Sequence, residues 1–212
     1  AVGYEALKAG SGATGANNTG VGYQALRALT TGNYNVALGL QASLVQTTGN
    51  QNSALGYQSL NANITGASNV AVGYQALILA TGSNSTAVGT QAASGITSAT
   101  GTVAVGYRAA KATSTGGQNT AVGYETLMSS TANDNVALGY QAGTYSTANT
   151  TGGQNTYLGA FTAPNDNADT NVIAIGYEAA GRGSNTTVIG NDSTVATYLK
   201  GTLNLEQGTL TD

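Results

Sequence analysis

The chain has 212 residues, with 31 glycines, one proline, no cysteine, histidine or tryptophan, and a net charge of −3. Thiol nucleophiles, histidine-based triads and zinc sites are therefore excluded, as is the basic surface that nucleic acid needs. No apolar run nears the roughly 18 residues of a spanning helix, and no basic amphipathic segment suits a membrane surface. Only 7% of residues are charged and 41% are apolar; disorder goes with the opposite balance. Without cysteine there is no disulfide, which leaves the redox compartment open.

Reading from Ala1, one phrase recurs, at its fullest Ala-Val-Gly-Tyr-Gln-Ala-Leu. Its glycines are Gly3, Gly22, Gly39, Gly56, Gly73, Gly89, Gly106, Gly123, Gly139, Gly159, Gly176 and Gly190, 14 to 20 residues apart. A period of this kind predicts a solenoid, in which each coil is stable only when stacked on its neighbours. With the glycine as position 0, position −1 is always Val, Leu or Ile, and −3 is Val, Ile, Thr or Ser. Position −2 is usually Ala, +2 mostly Gln or Glu, +3 mostly Ala and +4 often Leu. Tyrosine fills +1 at Tyr4, Tyr23, Tyr57, Tyr74, Tyr107, Tyr124, Tyr140 and Tyr177. A strand across each phrase puts −3, −1 and +1 on one face and −2, 0 and +2 on the other. The bulky face is expected to fill the coil and the small-residue face to lie flat against a close neighbour.

Ahead of each strand a turn is expected. Thr-Gly recurs at −8 and −7, as in Thr31-Gly32 and Thr48-Gly49, and asparagine at −4: Asn18, Asn35, Asn52, Asn69, Asn119, Asn135 and Asn155. Glycine and asparagine tolerate positive φ, so the coil should turn at them. Stacked asparagines should form a ladder of mutually bonded amides. Segments such as Ala25 to Leu29 allow at most one helical turn, because the recurring glycines oppose anything longer. After Gly190 the pattern dissolves. Val195, Tyr198, Leu199, Leu203 and Leu205 suggest strands leaving the roll, so a shaft over 1–191 and a cap or transition segment over 192–212 are expected. The start in mid-repeat suggests a piece of a longer shaft.

Other motifs have plain readings. Glu5, Glu125 and Glu178 sit at +2, in the register of the glutamines, and read as surface variants rather than a glycosidase pair. Gly10-Ser-Gly-Ala-Thr-Gly15 matches a dinucleotide pattern but precedes a turn and strand, not a helix. Asp166 and Asp169, in the loop Pro164 to Asn171 beside Phe161, are the one calcium candidate, without EF-hand spacing; no other metal ligand and no cofactor is expected. The tyrosine column reads as core packing, the alternative being an exposed aromatic track for sugars. Sequons such as Asn63-Ile-Thr65 and Asn84-Ser-Thr86 follow from composition.

The segment Asn171 to Gly190, with its Val-Ile-Ala-Ile-Gly core, resembles the head repeat of trimeric autotransporter adhesins. The longer Asn-Thr-Ala-Val-Gly-Tyr-Gln-Ala-Leu of Asn119 to Leu127 is similar to repeats of phage tail-fibre shafts. Together these cover Ala1 to about Asn191. The resemblance implies an all-β, left-handed parallel β-roll of about twelve coils, three chains side by side. Most repeats here are longer than the adhesin form, which favours the fibre branch. The expected function is a rigid homotrimeric shaft in a virion tail fibre or similar appendage, holding a receptor-binding tip and catalysing nothing. Any glycan or protein receptor is expected to be met through other domains. The alternative is a cell-surface adhesin that engages host matrix or glycans laterally. An ice-binding solenoid would need an unbroken threonine array, and a polysaccharide-cleaving spike would need carboxylates meeting between chains.

Overall fold

A computed structural model describes residues 1–8, 12–144 and 151–198. Eleven three-residue strands make a single parallel sheet, paired strictly in chain order. They are β1 (Thr19–Val21), β2 (Val36–Leu38), β3 (Ser53–Leu55), β4 (Val70–Val72), β5 (Thr86–Val88), β6 (Val103–Val105), β7 (Thr120–Val122), β8 (Val136–Leu138), β9 (Thr156–Leu158), β10 (Ile173–Ile175) and β11 (Thr187–Ile189). Repeat positions pair with themselves, as in Ala71 with Ala87 and Val72 with Val88. The chain is thus a β-solenoid. The repeat around Gly3 joins it by a lone bridge from Val2 to Val21. Tyr198 and Val195 are exposed and outside any strand; Leu199, Leu203 and Leu205 lie outside the described residues.

The two faces are the reverse of the expectation. The −2 alanines Ala37, Ala71, Ala87, Ala104, Ala121 and Ala137 are fully buried, while the −3 and −1 residues beside them point outward. Opposite the alanines, the returning half of the coil supplies +3 alanines and +4 leucines such as Leu26, Leu60, Leu77 and Leu127, all buried. A coil of about 17 residues encloses room for one alanine layer against one leucine layer. On the strand side most coils have room for alanine alone, so the valines at −3 and −1 and the tyrosines at +1 face out. Positions +4 and +7 share that volume: Leu77 goes with Ala80, Ala93 with Ile96 and Ser43 with Gln46, every one of them buried.

The bend is made by residues other than those anticipated. Most coils place ordinary residues in the left-handed region at +2, +4 and −5, for example Gln24 (φ 55°), Leu26 (φ 51°) and Tyr34 (φ 60°). Such residues cost roughly 1–2 kcal/mol each. They are held by coil-to-coil hydrogen bonds, such as Leu26 N–H to Ala42 O (3.1 Å) and Gln24 N–H to Tyr4 O (2.8 Å). No helix forms among the described residues. Gly32 and Gly49, at −7, do not have positive φ. They are glycine because a Cβ would strike the backbone carbonyl of the next coil, Gly49 O and Gly66 O. The central glycines do need positive φ (Gly22, 129°), and a Cβ there would lie 2.5 Å from Gly39 O.

Three strands lack the −2 alanine: Gly20 stands there in β1, Val188 in β11 and, with the largest change of volume, Tyr157 in β9. Tyr157 is wholly buried. Its space comes from Gly143, which stands where leucine usually does; a Cβ on Gly143 would meet Tyr157 Cδ2 at 2.8 Å. The step from Gly139 to Gly159 is also the longest in the chain. Two substitutions test this core by denaturant unfolding. Ala87→Leu is expected to cost about 1–3 kcal/mol by overpacking, and Tyr157→Ala about 3–5 kcal/mol by opening a cavity.

Candidate interaction surface

Three outward columns run the length of the sheet. The −1 column is aliphatic and open to solvent, with Leu38 44% and Leu138 48% exposed. The +1 column holds the tyrosines, from 37% exposed at Tyr107 to 67% at Tyr4. Core packing for the tyrosines is therefore overturned, because the strand turns its bulky face outward. Their rings stack on one another: Tyr4 on Tyr23 at 5.5 Å, Tyr57 on Tyr74 at 5.2 Å, and Tyr107, Tyr124 and Tyr140 successively at 5.0 Å. Leu40 and Thr90 interrupt the column, and Phe161 meets Tyr140 and Tyr177 edge-on. Ring faces are spent on neighbouring rings, so the column offers mostly edges and hydroxyls outward. Burial among its neighbours, followed by the Glu125 carboxylate and the rings of Tyr107 and Tyr140, raises the Tyr124 hydroxyl above the usual tyrosine value. No charged residue occupies −3, −1 or +1 of any strand repeat.

Beside the tyrosines runs an amide ladder at +2. Gln41 donates to Gln24, Gln58 to Gln41 and Gln75 to Gln58, at 3.0–3.2 Å. Glutamine suits this role because its amide both donates and accepts. The charged residues here also have a place in the ladder. Glu5, an acceptor only, ends it by taking bonds from Gln24 (2.9 Å) and Lys8 (2.6 Å). The Lys8 hydrogen bond, then that of Gln24, lowers its carboxyl below the ordinary value. Arg108 donates to Gln91 (3.1 Å) and pairs with Glu125 (3.6 Å), which accepts in turn from Gln141 (3.0 Å). Glu178 is exposed and joins the preceding coil through its backbone, donating its N–H to Ala160 O (3.0 Å).

Behind the sheet, the asparagines form an internal spine. Most of these side chains clamp the following coil at two backbone points. Asn52 Nδ2 donates to Gly66 O (2.8 Å), and its Oδ1 accepts from Asn69 N–H (3.0 Å). Asn35 makes the same pair with Gly49 O (2.8 Å) and Asn52 N–H (2.9 Å). Asn18, Asn69, Asn119 and Asn155 donate likewise to carbonyls of the next coil. The expected amide-to-amide bonding occurs between Asn35 and Asn18 (3.0 Å); elsewhere the partners are backbone groups. Asn135 accepts from Asn155 N–H (3.1 Å). The spine weakens at Ser85 and Thr102, where Thr102 N–H reaches Ser85 Oγ at 3.4 Å and the buried Thr102 Oγ1 has no hydrogen-bond partner.

The remaining candidates separate. Asp169 Oδ2 accepts from Asn165 N–H (3.1 Å) and Asp166 N–H (2.8 Å), and Asp166 Oδ1 accepts from Ala168 N–H (3.2 Å). These carboxylates close a turn, which accounts for both residues without a cation, and no group of three potential metal ligands occurs among the described residues. From Gly12 the dinucleotide-like segment runs on into β1 with no helix; Gly10 and Ser11 lie outside the described residues. Asn63 is wholly buried and donates to Gly66 O (2.9 Å), which bars a glycan in the folded coil, whereas Asn84 is exposed. A polar cleft of about 380 Å³ lies at the C-terminal end, where Arg182 pairs with Asp192 beside Glu178 and Asn165. No helix among the described residues is long and apolar enough to cross a membrane.

The spine yields two predictions, read by thermal or urea unfolding. Asn52→Ala strands Asn69 N–H in the interior, while Gly66 O keeps its bond from Asn63, and is expected to cost about 1–3 kcal/mol. Thr102→Asn restores the missing clamp and is expected to stabilise by about 1 kcal/mol. Comparison with known proteins adds no identity to this geometry: no protein-family model, no curated protein and no solved structure matches the chain.

Proposed function

We propose that the chain is a structural fibre segment: a rigid, homotrimeric β-solenoid shaft, of the kind found in a phage tail fibre or another surface appendage, that presents a receptor-binding tip. The observation that carries the reading is the outward apolar sheet face. Eleven strands at about 4.8 Å give a face roughly 50 Å long. Its three columns supply about as many side chains as the roughly 20–30 per partner of a specific interface. A soluble chain rarely leaves so large an apolar patch open. The face is uncharged, so copies of the chain meet without repulsion. Burying it between three chains in a left-handed roll joins the resemblance of the repeats to the geometry of the sheet. The role is mechanical and assigns no reaction to any residue. Stiffness comes from the hydrogen bonds between coils, the asparagine spine and the amide ladder. The mutual stacking of the tyrosines favours a shaft over a lateral sugar-binding track, because sugars need open ring faces.

Light scattering of the purified chain tests the reading. The expected mass is three times the 20.9-kDa chain, maintained on dilution. The double variant Val72→Lys, Val105→Lys is expected to keep the circular-dichroism signature of the roll and lose the trimer. A wild-type monomer at all concentrations would remove the shaft proposal.

A further inference from the structure

The −3 column carries a second regularity. From β1 to β11 it reads Thr19, Val36, Ser53, Val70, Thr86, Val103, Thr120, Val136, Thr156, Ile173, Thr187. Hydroxyl and aliphatic residues alternate without exception. Strand pairing sets these residues side by side, Thr19 against Val36, Val36 against Ser53, Thr86 against Val103, so one outward stripe has a period of two coils. No other column does this: −1 has runs such as Val72, Val88, Val105 and Val122, and +1 has tyrosine runs broken irregularly. Strand pairing engages the backbone of these residues and leaves their hydroxyls on the outward face.

A repetitive face has a register problem. Twelve near-identical phrases let two copies pair in register or displaced by one coil at little cost, and a displaced arrangement does not close into a symmetric ring. The alternation removes the nearest error. In register, hydroxyls meet hydroxyls and aliphatics meet aliphatics at every level. A one-coil slip sets every hydroxyl against a methyl surface, desolvated and without a partner. A two-coil slip restores the match but leaves two coils at each end uncovered. The stripe is complementary to itself at zero offset, which identifies a second copy of this chain, rather than an unrelated protein, as its occupant.

We propose that the −3 columns of neighbouring copies meet in the assembly and that their hydroxyl–aliphatic alternation is a register code against the one-coil stagger. The inference rests on the trimeric reading above. The competing account is local: alternation serves only the packing of Thr against Val within one sheet.

The absence of cysteine in the natural chain makes disulfide crosslinking decisive. Thr86→Cys and Val103→Cys chains, carrying different size tags, are refolded together and oxidised. In register, 86–86 and 103–103 products form. The 86–103 product is expected to be roughly tenfold rarer, because one coil of axial offset carries that pair beyond the ~7 Å reach of a disulfide. The same chains with Thr19, Ser53, Thr120, Thr156 and Thr187 changed to Val are then compared; the mixed product is expected to rise at least roughly threefold as the code is erased. A trimeric mass with no product at either position would show that the columns do not meet. Mixed product as abundant as matched product in the natural pattern, or an unchanged ratio in the flattened one, would equally overturn the code while leaving the trimer standing. A monomeric mass by light scattering would remove the trimer itself, and the code with it.

Discussion

Everything in this molecule follows from the distance between successive coils. Backbone hydrogen bonds hold neighbouring coils at strand spacing, about 4.8 Å, and most positions stack on their own equivalents in the next repeat. A residue is therefore chosen for what it does against a copy of itself. Glycine at 0 and −7 allows carbonyls to come close. Asparagine at −4 offers one donor and one acceptor to the coil that follows. Glutamine at +2 can extend a chain of amides without limit, and Glu5, which can only accept, closes it.

The same spacing explains why the interior is built of small residues. With so few residues per turn, the coil encloses alanine against leucine and little more. An enlargement is compensated nearby, as when Tyr157 enters where Gly143 of the preceding repeat withdraws. The price of a narrow interior is that the larger apolar side chains are left outside. One solenoid can stack into a rod but cannot cover its own sheet face, and that is the physical basis for proposing that three do so together.

In the proposed fibre the outward face and the internal spine divide the tasks. The spine and amide ladder act along the axis and join coil to coil within a chain. The face, on that proposal, acts across the axis, between chains. Its uncharged character suits like meeting like, and its alternating stripe supplies a distinction that an otherwise uniform repeat lacks. Departures from the repeat mark particular places: Ser85 and Thr102 weaken the spine, Arg108 and Glu125 insert a pair of charges into the amide ladder, and Asp169 closes a turn near the last coils.

Much of this was legible in the residues themselves. The recurring glycine phrase fixed a stack of parallel coils, because only stacking makes one short phrase useful so many times. The period-two alternation across Val-Ala-Val fixed that each strand has a bulky and a small face, and the column of asparagines announced one ladder; the glutamine ladder at +2 emerged only in the structure. Which face points inward was not legible. The alternation is symmetric in sign, and the left-handed residues at +2 and +4 reset it, bringing Ala25 and Leu26, adjacent in sequence, both into the core. That reset depends on the closure of the coil and on the width it leaves, which no local pattern carries. Tertiary structure alone therefore decided that tyrosine and valine stand outside, that asparagine bonds backbone more than its own kind, and that glycine at −7 is there for clearance rather than for turning.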